Sequence, residues 1–153
     1  EAAFAQSLKS IAELAAEAER FGVTVGIEGV ADHPVSTPKK MRRMLDEVGS
    51  NNLQVVFDPV NYLTSENYRD QERVISEAID LFGDRIAVIH AKDFLIDSGQ
   101  LKFTSAGLGL LRHDLVMDFA LQRKPGISIL LEDANPEKAR ASREFLRTWE
   151  KGR

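Results

Sequence analysis

The chain has 153 residues, 43% of them apolar and 29% charged, which excludes disordered and collagen-like classes and suffices for one domain with a real core. A formal charge of −4 and a pI near 5.4, with lysine and arginine spread along the chain and not gathered in a block, argue against a nucleic-acid partner. Cysteine is absent, so any metal must be held by oxygen and imidazole, and no apolar run nears the roughly 18 residues that cross a bilayer, so a soluble, cytoplasmic protein with no membrane partner is expected.

Phe4, Leu8, Ile11, Leu14, Ala15 and Ala18 recur at helical spacing, and Gly22 offers a left-handed stop. Val23-Thr24-Val25-Gly26-Ile27 then reads as a strand ending at Glu28. A loop through His33 follows. Thr37 caps a helix with Pro38 in its first position and Met41, Met44, Leu45 and Val48 as its apolar residues, ending at Gly49. The second strand, Leu53-Gln54-Val55-Val56-Phe57, ends at Asp58. The next helix spans about Tyr68 to Phe82, with Val74, Ile75, Ala78 and Ile79 inward and Gly83 as its stop. Ile86-Ala87-Val88-Ile89 is a third strand, running into His90, Lys92 and Asp93, and such short apolar runs are expected to be buried on both faces. Residues 94–105 are weakly patterned and read as a long loop with a turn at Ser98-Gly99, leading to Gly107-Leu108-Gly109. A helix from about Asp114 to Gln122, a strand from Ile127 to Leu131 ending at Glu132, and a helix capped by Asn135 with Pro136 in first position complete the chain.

The result is one α/β domain over residues 1–153: a helix, then four consecutive βα units, with no linker. Four such units make either an open doubly wound sheet or half of an eight-stranded barrel. The strand ends favour the barrel. Glu28, Asp58, His90 and Glu132 lie 30, 32 and 42 residues apart, a strand plus a crossover helix each time, which sets them side by side at the carboxyl edge of one parallel sheet. An open sheet gathers its site at one crevice, whereas here every strand ends in a candidate ligand. Three carboxylates and one imidazole in a ring form a ligand set for a divalent cation.

With that pattern the chain resembles the xylose isomerase-like TIM barrels, which include sugar phosphate isomerases and epimerases, ketose 3-epimerases, inosose dehydratases and endonuclease IV-type nucleases. The resemblance covers nearly the whole chain, as the C-terminal half of a (β/α)8 TIM barrel whose last four strands end in Glu, Asp, His and Glu. Lys92 and Asp93 resemble the basic residue and aspartate that often follow the metal histidine. Gly107-Leu108-Gly109 with Asp114 resembles the family's Gly-x-Gly loop and following acidic residue. Asn61 stands where many members carry a histidine that contacts substrate.

The resemblance implies a metal-dependent sugar or sugar-phosphate isomerase or epimerase that abstracts a proton beside a carbonyl and passes through an enediolate. It implies one divalent ion on Glu28, Asp58, His90 and Glu132, manganese first, with magnesium, cobalt or zinc as alternatives. Glu28 and Glu132 inherit the two catalytic roles on opposite faces of the substrate. Asn61, Lys92, Asp93, Gly107, Gly109 and His33 are the candidate substrate contacts.

Plainer readings stand beside these. His33 and His113 lie in loops, where solvated histidines are the usual case, Lys92 could serve a salt bridge with Asp93 or another neighbour, and the two glycines could simply shape a turn. Phe145 and Trp149 read as core. An inosose-type dehydratase shares the proton-abstraction step, and a nuclease of the endonuclease IV kind would need more histidines than the three present. A full barrel takes about 250 residues, and the chain begins without methionine inside a helical pattern, so a fragment or processed product is expected. A chain complete as it stands would leave two open sheet edges and an uncovered interior and should form a homo-oligomer, or serve as a non-catalytic half-barrel that binds a ligand or partner.

Overall fold

Helix and strand boundaries follow the local signals closely. In the computed structural model, which describes residues 1–151 and side chains as far as Trp149, helix α1 (Ala2–Phe21) ends at Gly22 and helix α2 (Pro38–Val48) starts from Thr37, whose Oγ1 accepts the Lys40 N–H at 3.2 Å. Gly49 ends α2 at φ 69°, a left-handed conformation that costs a residue with a Cβ and not glycine. Gly83 does not do this. It closes helix α3 (Gln71–Phe82) at φ −57° and starts a 3₁₀ turn, Gly83–Arg85. Helices α4 (His113–Arg123) and α5 (Pro136–Lys151) complete the set, and no helix among the described residues is long and apolar enough to cross a membrane.

Strands β1 (Val25–Glu28), β2 (Leu53–Phe57), β3 (Ile86–Asp97) and β5 (Ser128–Leu131) form a parallel sheet in the order β1-β2-β3-β5. Strand β4 (Gln100–Ser105) pairs antiparallel with the far half of β3, from Lys92↔Ser105 to Asp97↔Gln100. The expected loop over residues 94–105 is therefore a β-hairpin. Its two-residue turn has positive φ at both Ser98 (51°) and Gly99 (78°), the turn geometry that matches strand twist.

One face of the sheet carries the core. Leu53, Val55, Phe57, Ile86 and Ile89 meet Met41, Met44 and Leu45 of α2, Ile75, Ala78 and Phe82 of α3, and Phe119 of α4. Each fully buried aliphatic or aromatic side chain of this set is worth about 1.5–3 kcal/mol. Ala91, Met117 and Leu146 form a smaller cluster with Ile129 and Leu131, joining β5 to α4 and α5. The opposite face corrects the expectation of two-sided burial. Val56 and Val88 are half-buried, Gly26 and Ser128 are exposed, and Leu130 is 51% exposed, because no helix layer covers that side.

Candidate metal centre

Strand register delivers the four strand-end residues to one place. Glu28 pairs with Val56, Phe57 with Ile89, and His90 with Leu130. Side chains alternate across a strand, so Glu28, Asp58, His90 and Glu132 all lie on the face away from the helices. One ligand atom from each falls within 4.8 Å of the others. His90 Nδ1 is 3.4 Å from Glu28 Oε1 and 3.2 Å from Glu132 Oε2. Asp58 is fully buried, and its Oδ1 accepts the N–H groups of Val60 (2.9 Å) and Asn61 (3.3 Å), which leaves Oδ2 for the cluster.

Two of these atoms have no hydrogen-bond partner although they are buried: His90 Nδ1 and Asp58 Oδ2. Lys92 Nζ stands 2.9 Å from Asp58 Oδ2 but out of hydrogen-bond geometry, so that contact is an ion pair alone. An imidazole nitrogen facing two carboxylate oxygens requires a cation between them, a proton or a metal. Buried polar atoms left orphaned are costly, and three oxygen donors with one nitrogen suit a hard or borderline divalent ion. The residues present fit the group that the sequence implied.

The electrostatics agree. Burial pushes the Asp58 carboxyl up to about 8, the neighbouring Glu132 carboxylate adds to this, and Lys92 opposes both. Burial also acts to raise Glu132, but Asp58, Lys92 and His90 outweigh it and hold that carboxyl below its ordinary value. Burial acts to lower Lys92, and the same two carboxylates outweigh it, so the ammonium stays charged. Metal binding at such a site favours the ionised carboxylates and so competes with any proton held between them.

Two further residues from the candidate set join the cluster. Asn61 is buried and donates from Nδ2 to Glu28 Oε1 at 2.8 Å, fixing the orientation of that carboxylate. Lys92, 2% exposed, lies 3.2 Å from Glu132 Oε2 as well as against Asp58, and its Nζ sits 4.3 Å from the centre of the Phe103 ring on β4. Its salt bridges are thus with Asp58 and Glu132 and not with Asp93.

Asp93, Gly107 and Gly109 form a separate knot around the buried Asp93 carboxylate. Asp93 Oδ1 accepts the N–H groups of Phe94 and Leu111, both at 2.8 Å, and Oδ2 accepts those of Gly107 (3.1 Å) and Gly109 (2.9 Å). His113 Nε2 lies 3.1 Å from the same Oδ2. Burial acts to raise the Asp93 carboxyl, but His113 and the backbone donors outweigh it and hold it below the usual range. The expectation of a solvated His113 is corrected here: the ring is buried, held by Asp93 and packed edge-on against Phe145 at 5.0 Å. His33 lies exposed in the β1–α2 loop. Tyr62, which no sequence pattern singled out, is buried with its hydroxyl unpartnered, and burial raises its phenol above the ordinary value, with Glu28 and Asp58 adding to the effect. Its position beside Gly29, where a Cβ would strike the ring, is a contact 33 residues apart in sequence that no local signal announces.

Parallel strands joined by helices, with polar groups gathered at the carboxyl edge, define the (β/α)-barrel class. The family model for the xylose isomerase-like TIM barrel matches residues 1–149, and the chain belongs to that family. No curated protein matches significantly. Among solved structures, a D-tagatose 3-epimerase-like protein superposes with a TM-score of 0.77 at 18% identity, over 97% of this chain and 54% of that one. A xylose isomerase-like TIM barrel protein from Mycobacterium smegmatis in complex with magnesium gives 0.74 at 12% identity, over 97% and 51%. A xylose isomerase domain protein from Planctomyces limnophilus gives 0.72 at 18% identity, over 97% and 52%. At these identities the likeness is one of fold, and the chain spans about half the length of these structures.

Proposed function

We propose that the chain forms the C-terminal half of a xylose isomerase-like barrel and carries the metal site of a sugar isomerase or epimerase. The observation that carries this reading is the convergence of Glu28, Asp58, His90 and Glu132 to within 4.8 Å at the sheet's carboxyl edge. Glu28, Asp58, His90 and Glu132 would hold a divalent ion of the magnesium or manganese kind, which would supply Lewis-acid polarisation of a substrate carbonyl. The remaining work falls to the chain's own groups. Glu28 and Glu132 come from opposite ends of the four-strand row, so a substrate seated over the cluster is approached by each from a different side. One carboxylate removes the proton beside the carbonyl and the other returns it. Asn61 orients Glu28 for this through the 2.8 Å hydrogen bond, and Lys92 keeps Asp58 and Glu132 in place by its two ion pairs.

The test is hydrogen–deuterium exchange at carbons next to the carbonyl, followed by NMR on the magnesium-loaded full-length barrel with a panel of ketoses and aldoses. Exchange with at least one sugar is expected, and Glu28→Gln and Glu132→Gln should each abolish it. Exchange that survives in both single variants would overturn the assignment.

A further inference from the structure

The 3₁₀ turn Val60–Tyr62, which follows β2, is tied to two members of the metal cluster at once. Asp58 holds its backbone, with Oδ1 accepting the N–H groups of Val60 and Asn61. Asn61, in the middle of the turn, holds Glu28 through the 2.8 Å bond from Nδ2 to Oε1, and its carbonyl accepts the Ala31 N–H, also at 2.8 Å. One turn therefore joins ligands from two strands and the loop that follows the first of them. A shift of the turn moves Glu28 relative to Asp58.

The last residue of the turn fixes where it sits. The buried Tyr62 ring packs against the rings of Phe57 and Phe82, with centroids 6.2 and 6.3 Å away, and its far end meets the chain at Gly29, the residue after Glu28. A Cβ on residue 29 would stand 2.2 Å from the Tyr62 hydroxyl oxygen, 2.5 Å from Cζ and 2.8 Å from Cε1. Backbone conformation does not require glycine here, since φ is not positive. Space does. The Tyr62 hydroxyl is buried without a hydrogen-bond partner, so what it contributes beneath Gly29 is bulk and not a bond. In a close-packed interior a ring seated among other rings has no room to swing aside, and a push on it passes to the backbone that carries it.

We infer that Gly29 and Tyr62 are positioning residues of the metal centre: their close contact sets the Val60–Tyr62 turn where Asn61 meets Glu28, and so holds Glu28 in ligand geometry. Neither residue belongs to the four-ligand cluster, and both act through Asn61. The inference rests on the metal-centre reading and names what tunes that site from outside it.

The experiment titrates the chelator-stripped full-length barrel with manganese by calorimetry, with circular dichroism as the check on folding. Gly29→Ala should weaken manganese binding about tenfold, the lower end of what loss of a ligand's supporting partner costs. Tyr62→Leu, which removes the brace without adding bulk, should weaken it severalfold. Because both act through Asn61, adding either to Asn61→Ala should change affinity by less than about twofold, whereas independent effects would multiply. Ile75→Ala empties core space on α3, and it should lower Tm while leaving affinity within about twofold, which separates positioning from plain loss of stability. A folded Gly29→Ala or Tyr62→Leu variant that binds manganese like the wild type, losses that multiply with Asn61→Ala, or an equal loss in Ile75→Ala would each overturn the inference and leave the metal centre in place. A wild type that binds no manganese would overturn the metal-centre reading, and this inference with it.

Discussion

Lys92→Met removes a buried charge while keeping most of the stem's bulk. The ammonium is 2% exposed and sits 2.9 Å from Asp58 Oδ2 and 3.2 Å from Glu132 Oε2. Removing one partner of a buried pair costs about 3–5 kcal/mol, because the charge left behind stays out of water. Asp58 escapes part of that cost because, with the ammonium gone, nothing opposes the burial that favours its protonated form. The loss in metal-free protein should therefore sit at the lower end, about 3 kcal/mol. For a domain of this size that is about 6–12 °C in Tm. Thermal unfolding followed by circular dichroism at pH 7, first in chelator and then in saturating magnesium, measures it. A divalent ion replaces the missing positive charge, so magnesium should narrow the gap and raise the Tm of the variant more than that of the wild type. A gap under about 2 °C in chelator, less than 1 kcal/mol, or a gap that magnesium leaves unchanged, would refute this account of Lys92.

Other outcomes follow from the same contacts. Asn61→Ala frees the Glu28 carboxylate, and loss of a group that orients a ligand should weaken metal binding about tenfold by calorimetry; unchanged affinity would show that Asn61 does not orient Glu28. Asp93 is held below its unfolded value of about 3.9, so it contributes stability that is full above that pH and lost as the pH falls through the lower folded value. Between pH 5 and 2 the wild type should therefore lose stability more steeply than Asp93→Asn, and parallel acid-unfolding curves would contradict this. Gly109→Ala should lower Tm by several degrees, because a Cβ there collides with the Phe94 carbonyl and the Asp93 carboxylate, neither of which can give way; a melt matching the wild type would count against that packing.

Much of the site was legible because its signal is local. A β-rich run that stops at a carboxylate or an imidazole places that side chain at the sheet's carboxyl edge, and four such stops at near-regular spacing imply one ring. Helix ends were legible for a like reason, as at Thr37-Pro38 and Gly49, where a single residue sets the terminus. The hairpin over residues 94–105 was not, because Leu95 and Phe103 face solvent and blur the alternation that marks a strand, although Ser98-Gly99 did mark the turn. The Asp93 knot was hidden for a different reason. Apart from Phe94, its backbone donors lie 14 to 18 residues further on, and His113 20 residues on, so only the folded chain shows that the aspartate and the glycines serve each other. Lys92 had two readings, a salt bridge or a substrate contact, until the strands set it between Asp58 and Glu132. The open face of the sheet is the uncovered interior expected of four parallel strands standing alone, although apolar runs such as Ile86 to Ile89 carry no mark of how many sides will be covered.

Metal content per chain is the most direct measurement, by elemental analysis of the protein equilibrated with magnesium or manganese and then desalted, beside an Asp58→Ala, His90→Ala double variant. The four-ligand cluster predicts about one divalent ion per chain in the wild type and none in the variant, with both proteins folded by circular dichroism. A folded wild type that retains no ion, or a variant that retains as much as the wild type, would contradict the assignment of Glu28, Asp58, His90 and Glu132 as a metal centre.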